Sequence, residues 1–284
     1  MDNVKKLVTQ ELSFALAIPA FLWQLIFLCV PLSIIIYFSV APGAFLSLSS
    51  YVALIHFSYV RVIARSLLLA TATALITLML SYPIVYYIVR HLSYIRKHLL
   101  VLLMLPFLTN FLVLAYSWFF LLERDGLINS FLMRFSFINE PLSLIYNNGA
   151  VLIVMCYCYL PFMIMPLYVS LEKLDVRLLE ASADLGANAW QTFVRVTLPL
   201  SFPGIKTGLL LVFVPAFGEF AIPTLLGGSK FLVVGSLISY YFFVARNNSL
   251  GAAFTIVAGI VLFLFLIALQ KGVTCFTSVM KKRE

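Results

Sequence analysis

Glu219 is the only acidic residue well inside a long apolar stretch of this 284-residue chain. A carboxylate in such a place costs several kcal/mol unless it meets water, a partner or a ligand. Two roles are open for it: counter-charge to a cation moving past, or a structural group that is neutralised or paired. Tyr116 and Trp118, in another apolar stretch, are rings able to add cation–π attraction to the first role. Other chemistries find little support. His56, His91 and His98 fall in loops or at the edges of apolar stretches, and none has a ligand spacing. Cys29, Cys156, Cys158 and Cys275 read as small apolar residues, since Cys156 and Cys158, two apart on a helix, point to different faces. No catalytic and no metal residue is assigned. A Gly-x-Ser-x-Gly nucleophile motif is absent. So is a Gly-x-x-x-x-Gly-Lys-Ser/Thr loop, because Gly228-Ser229-Lys230 lacks the spacing and the final hydroxyl residue. No cofactor is expected in this chain, and ATP hydrolysis, if used, belongs to another polypeptide.

The elements that position these residues are membrane helices. The chain is 63% hydrophobic and 11% charged, against about half and about a quarter in soluble domains. The net charge of +8 does not suggest nucleic acid, because the basic residues lie between apolar runs and not on one soluble face. A spanning helix needs roughly 20 apolar residues. Six segments qualify: 14–38, 66–89, 99–122, 149–171, 204–226 and 249–270. The alternation of a membrane β-strand is absent. The chain is expected to be all-α, a single polytopic membrane domain over 1–284. The first run is too long for a signal-peptide core of roughly 7–15 residues and reads as a retained anchor. Pro31, Pro83, Pro106, Pro161, Pro166, Pro215 and Pro223 fall inside the six segments and predict kinks. The apolar run 231–244 is short for a span and reads as interfacial or re-entrant.

Lys and Arg set the orientation. One side carries Lys5, Lys6, Arg90, Arg96, Lys97, Lys173, Arg177, Arg195, Lys271, Lys281, Lys282 and Arg283, with Lys206 at a helix edge. The other carries Arg61, Arg65, Arg124, Arg134, Lys230 and Arg246. Both termini, and the polar insert 172–203, are therefore expected in the cytoplasm. Within the insert, Asp175 can cap a helix running to about Asp184, and Gly186 can stop it. Asn188 can start a second short helix with Gln191 three residues on, and Trp190, Phe193, Val194 and Thr197 share one face of it. Pro199 and Pro203 are expected to close the segment. Two short amphipathic helices at a glycine corner cannot bury their apolar faces alone. By composition they could lie on lipid, tuck under their own bundle, or enter a partner's groove.

The pattern Glu180, Ala181, Ser182, Gly186, Val196, Leu198, Pro199 resembles the cytoplasmic signature of permease subunits of bacterial binding-protein-dependent ABC importers. Ser182 stands for the usual Ala, and Val196 for Ile. Leu160-Pro161-Phe162, the run Leu171-Glu172-Lys173-Leu174-Asp175, and Pro215-Ala216-Phe217-Gly218-Glu219-Phe220 are similar to the spermidine/putrescine permeases, nearest to the first of the two subunits. The resemblance runs from about residue 14 to 270. It implies a type I importer fold in the bacterial inner membrane. It implies a second homologous permease, two ATPase subunits that bind ATP and Mg, and an extracytoplasmic solute-binding protein. The insert would then be the coupling element, with Glu180, Ala181, Ser182 and Asp184 on the docking helix and Gly186 at its turn. Leu198 and Pro199 would anchor it to the bundle. A polyamine would be a natural counter-ion for Glu219. Polyamine-handling relatives can carry a further acid shortly after it, where this chain has Thr224. A permease of the same family for another solute remains the alternative. An independent secondary transporter would show an internal repeat and more buried charge, and neither is evident.

Overall fold

The computed structural model describes residues 2–40, 48–92, 94–228 and 231–281. Lys230, Lys282 and Arg283 of the charge count, and part of the stretch between the expected spans 14–38 and 66–89, lie outside them. Helices make up nearly all of the structure, with no strand among the described residues. In chain order they are α1 Asp2–Val40, α2 Ser49–Ala53, α3 Phe57–His91, α4 Arg96–Leu108, α5 Phe111–Leu122, α6 Leu127–Arg134, α7 Asn148–Glu172, α8 Val176–Asp184, α9 Ala189–Thr192, α10 Leu198–Phe217, α11 Ala221–Leu226, α12 Val234–Ser239 and α13 Asn248–Lys281. One π turn, Phe193–Thr197, joins α9 to α10, and another, Tyr240–Val244, follows α12.

Among the described residues, five helical stretches are long and apolar enough to cross a bilayer: Ile18–Val40, Phe57–His91, Asn148–Glu172, Ala189–Phe217 and Asn248–Lys271. The segment 99–122, expected as one span, is instead two helices, α4 and α5. Asn110 makes the break. Its side-chain oxygen accepts from the amides of Leu112 at 2.9 Å and Val113 at 3.4 Å, so a new helix starts there. The expected span 204–226 also breaks. It begins earlier, runs on from the π turn, stops at Phe217, and resumes as α11. Pro199 and Pro203 do not close the insert, because both lie within α10. The π turn absorbs Pro199: the amide of Leu198 reaches five residues back to Phe193, and the next position has no donor to place. The 231–244 run is helical from Val234 to Val244, shorter than a span.

The chain divides into two compact units, residues 1–56 with 240–261, and 57–239 with 262–284. In the first, the outward residues of α1 are apolar and uncovered, Trp23 and Phe27 among them. The hydroxyl of Tyr51 donates to Ser39 at 2.9 Å, tying α2 to the end of α1. Asn247 caps α13 by accepting from Leu250 at 3.1 Å.

The core of the second unit is the trio α3, α7 and α10. A stripe of small residues on α3, Ser66, Ala70, Ala74, Thr77 and Ser81, is buried in it. Their hydroxyls cost little there, since Thr77 donates to the Thr73 carbonyl and Ser81 to that of Thr77. From α7 come Val151, Met155, Ile164 and Leu167, all fully buried. α10 brings Gly204 and Gly208, four residues apart, against α7. A Cβ on Gly204 would lie on the Cβ of Ser170 and 2.6 Å from the carbonyl of Pro166. Small residues four apart let membrane helices approach to backbone contact, where dispersion replaces the missing hydrophobic drive. The connection from α5 to α7 is pinned by Asn129, which is fully buried. It donates to the carbonyls of Leu142 at 2.8 Å and Arg124 at 3.1 Å, and accepts from the amide of Leu142 at 3.1 Å.

Candidate functional site

The insert folds as its end-groups dictate. Asp175 accepts from the amide of Arg177 at 3.0 Å and starts α8. At the other end Gly186 has φ +82°, the left-handed conformation that ends helices. Its amide donates to the Ala183 carbonyl at 2.8 Å, and that of Ala187 to Ser182 at 3.1 Å. Asn188 and Gln191 form a reciprocal capping box over α9. The two helices are joined across the corner by the hydroxyls of Ser182 and Thr192, 3.0 Å apart.

No residue of α8 is buried. Glu180, Ala181, Asp184 and Gly186 are exposed, and Ser182 is half-buried. Apolar side chains stand open beside them, Leu185 at 89% and Trp190 at 71% exposure. The other face is held by Phe193. Its ring stacks on Trp190 at 5.7 Å and meets Tyr82 and Tyr86 of α3 edge-on at 5.6 and 6.1 Å. Such pairs each contribute about 0.5–1.5 kcal/mol beyond burial. The hydroxyl of Tyr82 also lies 2.9 Å from that of Ser201 on α10. Leu198 and Pro199 are half-buried where the π turn becomes α10. The ring at the elbow's base therefore contacts α3 directly, and the backbone that carries it continues into α10.

Glu219 sits in the break between α10 and α11, 8% exposed. One carboxylate oxygen accepts from the amides of Ala221 at 2.8 Å, Phe220 at 3.0 Å and Ile222 at 3.4 Å, satisfying the orphan donors at the start of α11. The other accepts from the Tyr159 hydroxyl of α7 at 2.7 Å. Glu219 is thus firmly paired, and it also borders a cavity of about 280 Å³. Phe107, Phe111, Tyr159 and Phe162 wall that cavity around the carboxylate. Tyr116 and Trp118 are not in its wall. Tyr116 is 49% exposed, and Trp118 rests edge-on against Tyr157 at 5.2 Å. Sequence reasoning missed the four cavity rings because they come from α4, α5 and α7, and no local pattern links them to residue 219. A larger groove, about 660 Å³, opens between α7, α8 and α10, but it holds no acid except Asp175 at its rim, already used as a cap. Glu123 and Asp125 are exposed in the turn before α6.

Both features lie within residues 89–274, which match the family described as binding-protein-dependent transport system inner membrane component. That match covers more than half of the chain. The chain belongs to this family. It is a transport permease subunit, of a kind found in inner membranes. It is 41% identical to the spermidine/putrescine transport system permease protein PotB of Escherichia coli over 221 residues, 78% of this chain and 80% of that protein. The PotB of Haemophilus influenzae is 39% identical over 243 residues, 83% of this chain and 85% of the relative. The molybdenum transport system permease ModB of the same organism is 31% identical over 155 residues, 55% of this chain and 66% of that one. The fold is that of a chain in the crystal structure of a bacterial ABC transporter involved in the import of the acidic polysaccharide alginate. There the TM-score is 0.77 with 18% identity, covering 100% of this chain and 99% of the other.

Proposed function

We propose that this chain is the permease subunit of an ATP-driven polyamine importer, providing half of the translocation pathway in a bacterial inner membrane. The observation that carries the solute class is the 41% identity to a spermidine/putrescine permease over 78% of the chain. The remaining parts of the machine are a second homologous permease, two ATPase subunits and an extracytoplasmic solute-binding protein. This chain has no catalytic residue; it converts ATPase closure into a change between inward- and outward-facing states. A ligand or partner shifts such an equilibrium only by binding the two states differently. The elbow Val176–Thr197 is the element on which the ATPase acts. Its support is physical: a helix with nothing buried, carrying Glu180, Ala181, Asp184 and Leu185 outward, hinged at Gly186. Both termini and the elbow face the cytoplasm, where the excess of Lys and Arg lies.

The whole complex in proteoliposomes, with the binding protein on one side and ATP on the other, is expected to accumulate labelled spermidine or putrescine. No ATP-dependent accumulation of either sinks the solute assignment. Phe193→Ala is expected to lower uptake per ATP hydrolysed about tenfold while the complex still assembles, because the ring contacts at the elbow's base are lost. An unchanged ratio would show that motion reaches the bundle by another route.

A further inference from the structure

The cavity beside Glu219 has features that capping α11 does not require. A helix start is satisfied by the single side-chain oxygen of a Ser, Thr or Asn. Glu219 uses one oxygen for the three amides, and its other oxygen takes a single hydrogen bond, from Tyr159. A carboxylate oxygen has two lone-pair sites, so that oxygen can accept once more. Among the described residues, no Lys, Arg or His lines the cavity to neutralise the acid. The wall is instead a run of rings. Phe107 meets Phe162 edge-on at 5.0 Å, Phe162 lies 6.1 Å from Tyr159, and Tyr159 lies 6.4 Å from Phe111. Aromatic faces around a desolvated cation attract it by about 2 kcal/mol or more, and boxes of rings are how proteins hold ammonium groups.

The backbone points the same way. Both interrupted helices meet at this cavity: the α4–α5 break contributes Thr109 and Phe111, and the α10–α11 break contributes Glu219. Irregular backbone within a membrane protein's apolar layer is tolerated where it is buried in protein or lines a wet cavity. Here two breaks from separate segments of the chain converge on one acid. The volume, about 280 Å³, is small for a whole drug-sized ligand and suits one amine end with a few methylenes.

We propose that the Phe107–Phe111–Tyr159–Phe162 box with Glu219 is a binding station for one protonated amine of the transported solute. The ammonium donates to the second oxygen of Glu219 and lies against the rings, while the carbon chain follows the apolar wall at Leu114. The station rests on the polyamine reading and adds to it the residues that would tell a cation from a neutral or anionic solute.

The test uses equilibrium binding of labelled spermidine to the permease–ATPase complex in nanodiscs without binding protein, whose own site would mask a weaker one. Wild type is expected to bind saturably. Phe111→Leu and Phe162→Leu, which keep apolar bulk but remove the π face, are expected to weaken binding about tenfold each. Phe162→Tyr, which keeps the face, should stay within about twofold. Glu219→Gln keeps an oxygen for α11 and is expected to weaken binding at least tenfold. Phe120→Leu, on the exposed side of α5, should match wild type. The proposal is overturned if wild type shows no saturable binding, or if both leucine variants bind as wild type does. It is also overturned if Phe162→Tyr loses as much as Phe162→Leu, which would mean packing alone. A wild-type complex that accumulates neither polyamine in the uptake assay defeats the solute assignment instead, whatever the variants do.

Discussion

Replacing Gly186 by leucine is expected to cut ATP-driven uptake at least tenfold while the permease still inserts and assembles. The reason is backbone, not bulk. Gly186 has φ +82°, and a Cβ built on it meets nothing within 4 Å. An L-residue pays roughly 1–2 kcal/mol to hold the left-handed conformation, and a nine-residue helix has little else to offset it. The turn would relax, and the hydrogen bonds from Gly186 to Ala183 and from Ala187 to Ser182 would go with it. A glycine can serve here by its conformation or by allowing close approach of another backbone. Within this chain the conformation alone demands it. A series separates the two: Gly186→Asn, which visits this region readily, is expected to retain most uptake, Gly186→Ala less, and Gly186→Leu least. Equal uptake by all three, at equal assembly, would mean that the elbow's angle does not matter.

Gly204→Leu is expected to act on a different level, by destabilising the fold. Its Cβ would overlap Ser170 and stand 2.6 Å from the Pro166 carbonyl, so two helix axes must separate. Forced overpacking costs about 1–3 kcal/mol where side chains can shift, and here a carbonyl is in the way. At the upper end of that range the melting temperature of the purified protein falls about 10 °C for a chain of this size. Most of the protein is expected to be lost before purification. Gly204→Ala should fall between. A melting temperature for Gly204→Leu within 2 °C of wild type would remove the close contact of α7 and α10 from the account.

Much of the architecture was legible because it is written locally. Asp175, Gly186, and the pair Asn188 and Gln191 each state where a short helix begins or ends, and α8 and α9 begin and end there. Apolar length gave the helices of the trio. The break at Asn110 was hidden by summation: two polar residues between strongly apolar runs barely change the average over twenty, although an Asn followed by a fresh apolar run is a cap signal in its own right. The spacing of Gly204 and Gly208 was likewise readable. The run-on from α9 through the π turn into α10 was not, since proline usually marks an end, and only the widened turn lets Pro199 sit inside. The cavity was the least visible. Glu219 announced itself, but Tyr159 is sixty positions away, and the rings around it belong to three other helices. Tyr116 and Trp118 are aromatic residues of the same segment as Phe111, yet their positions on α5 turn them from the acid's cavity to other surroundings.

The exposure of α8 has a consequence for the life of the subunit before assembly. Nine residues with no buried side chain, held by their end groups and by the Ser182–Thr192 contact, form a stretch with little packing to oppose local opening. An orphan copy, inserted but not yet joined to its neighbours, therefore offers a fraying segment with an open tryptophan and leucine to whatever proteases and chaperones survey that face. Its lifetime would depend on how soon another subunit covers that segment.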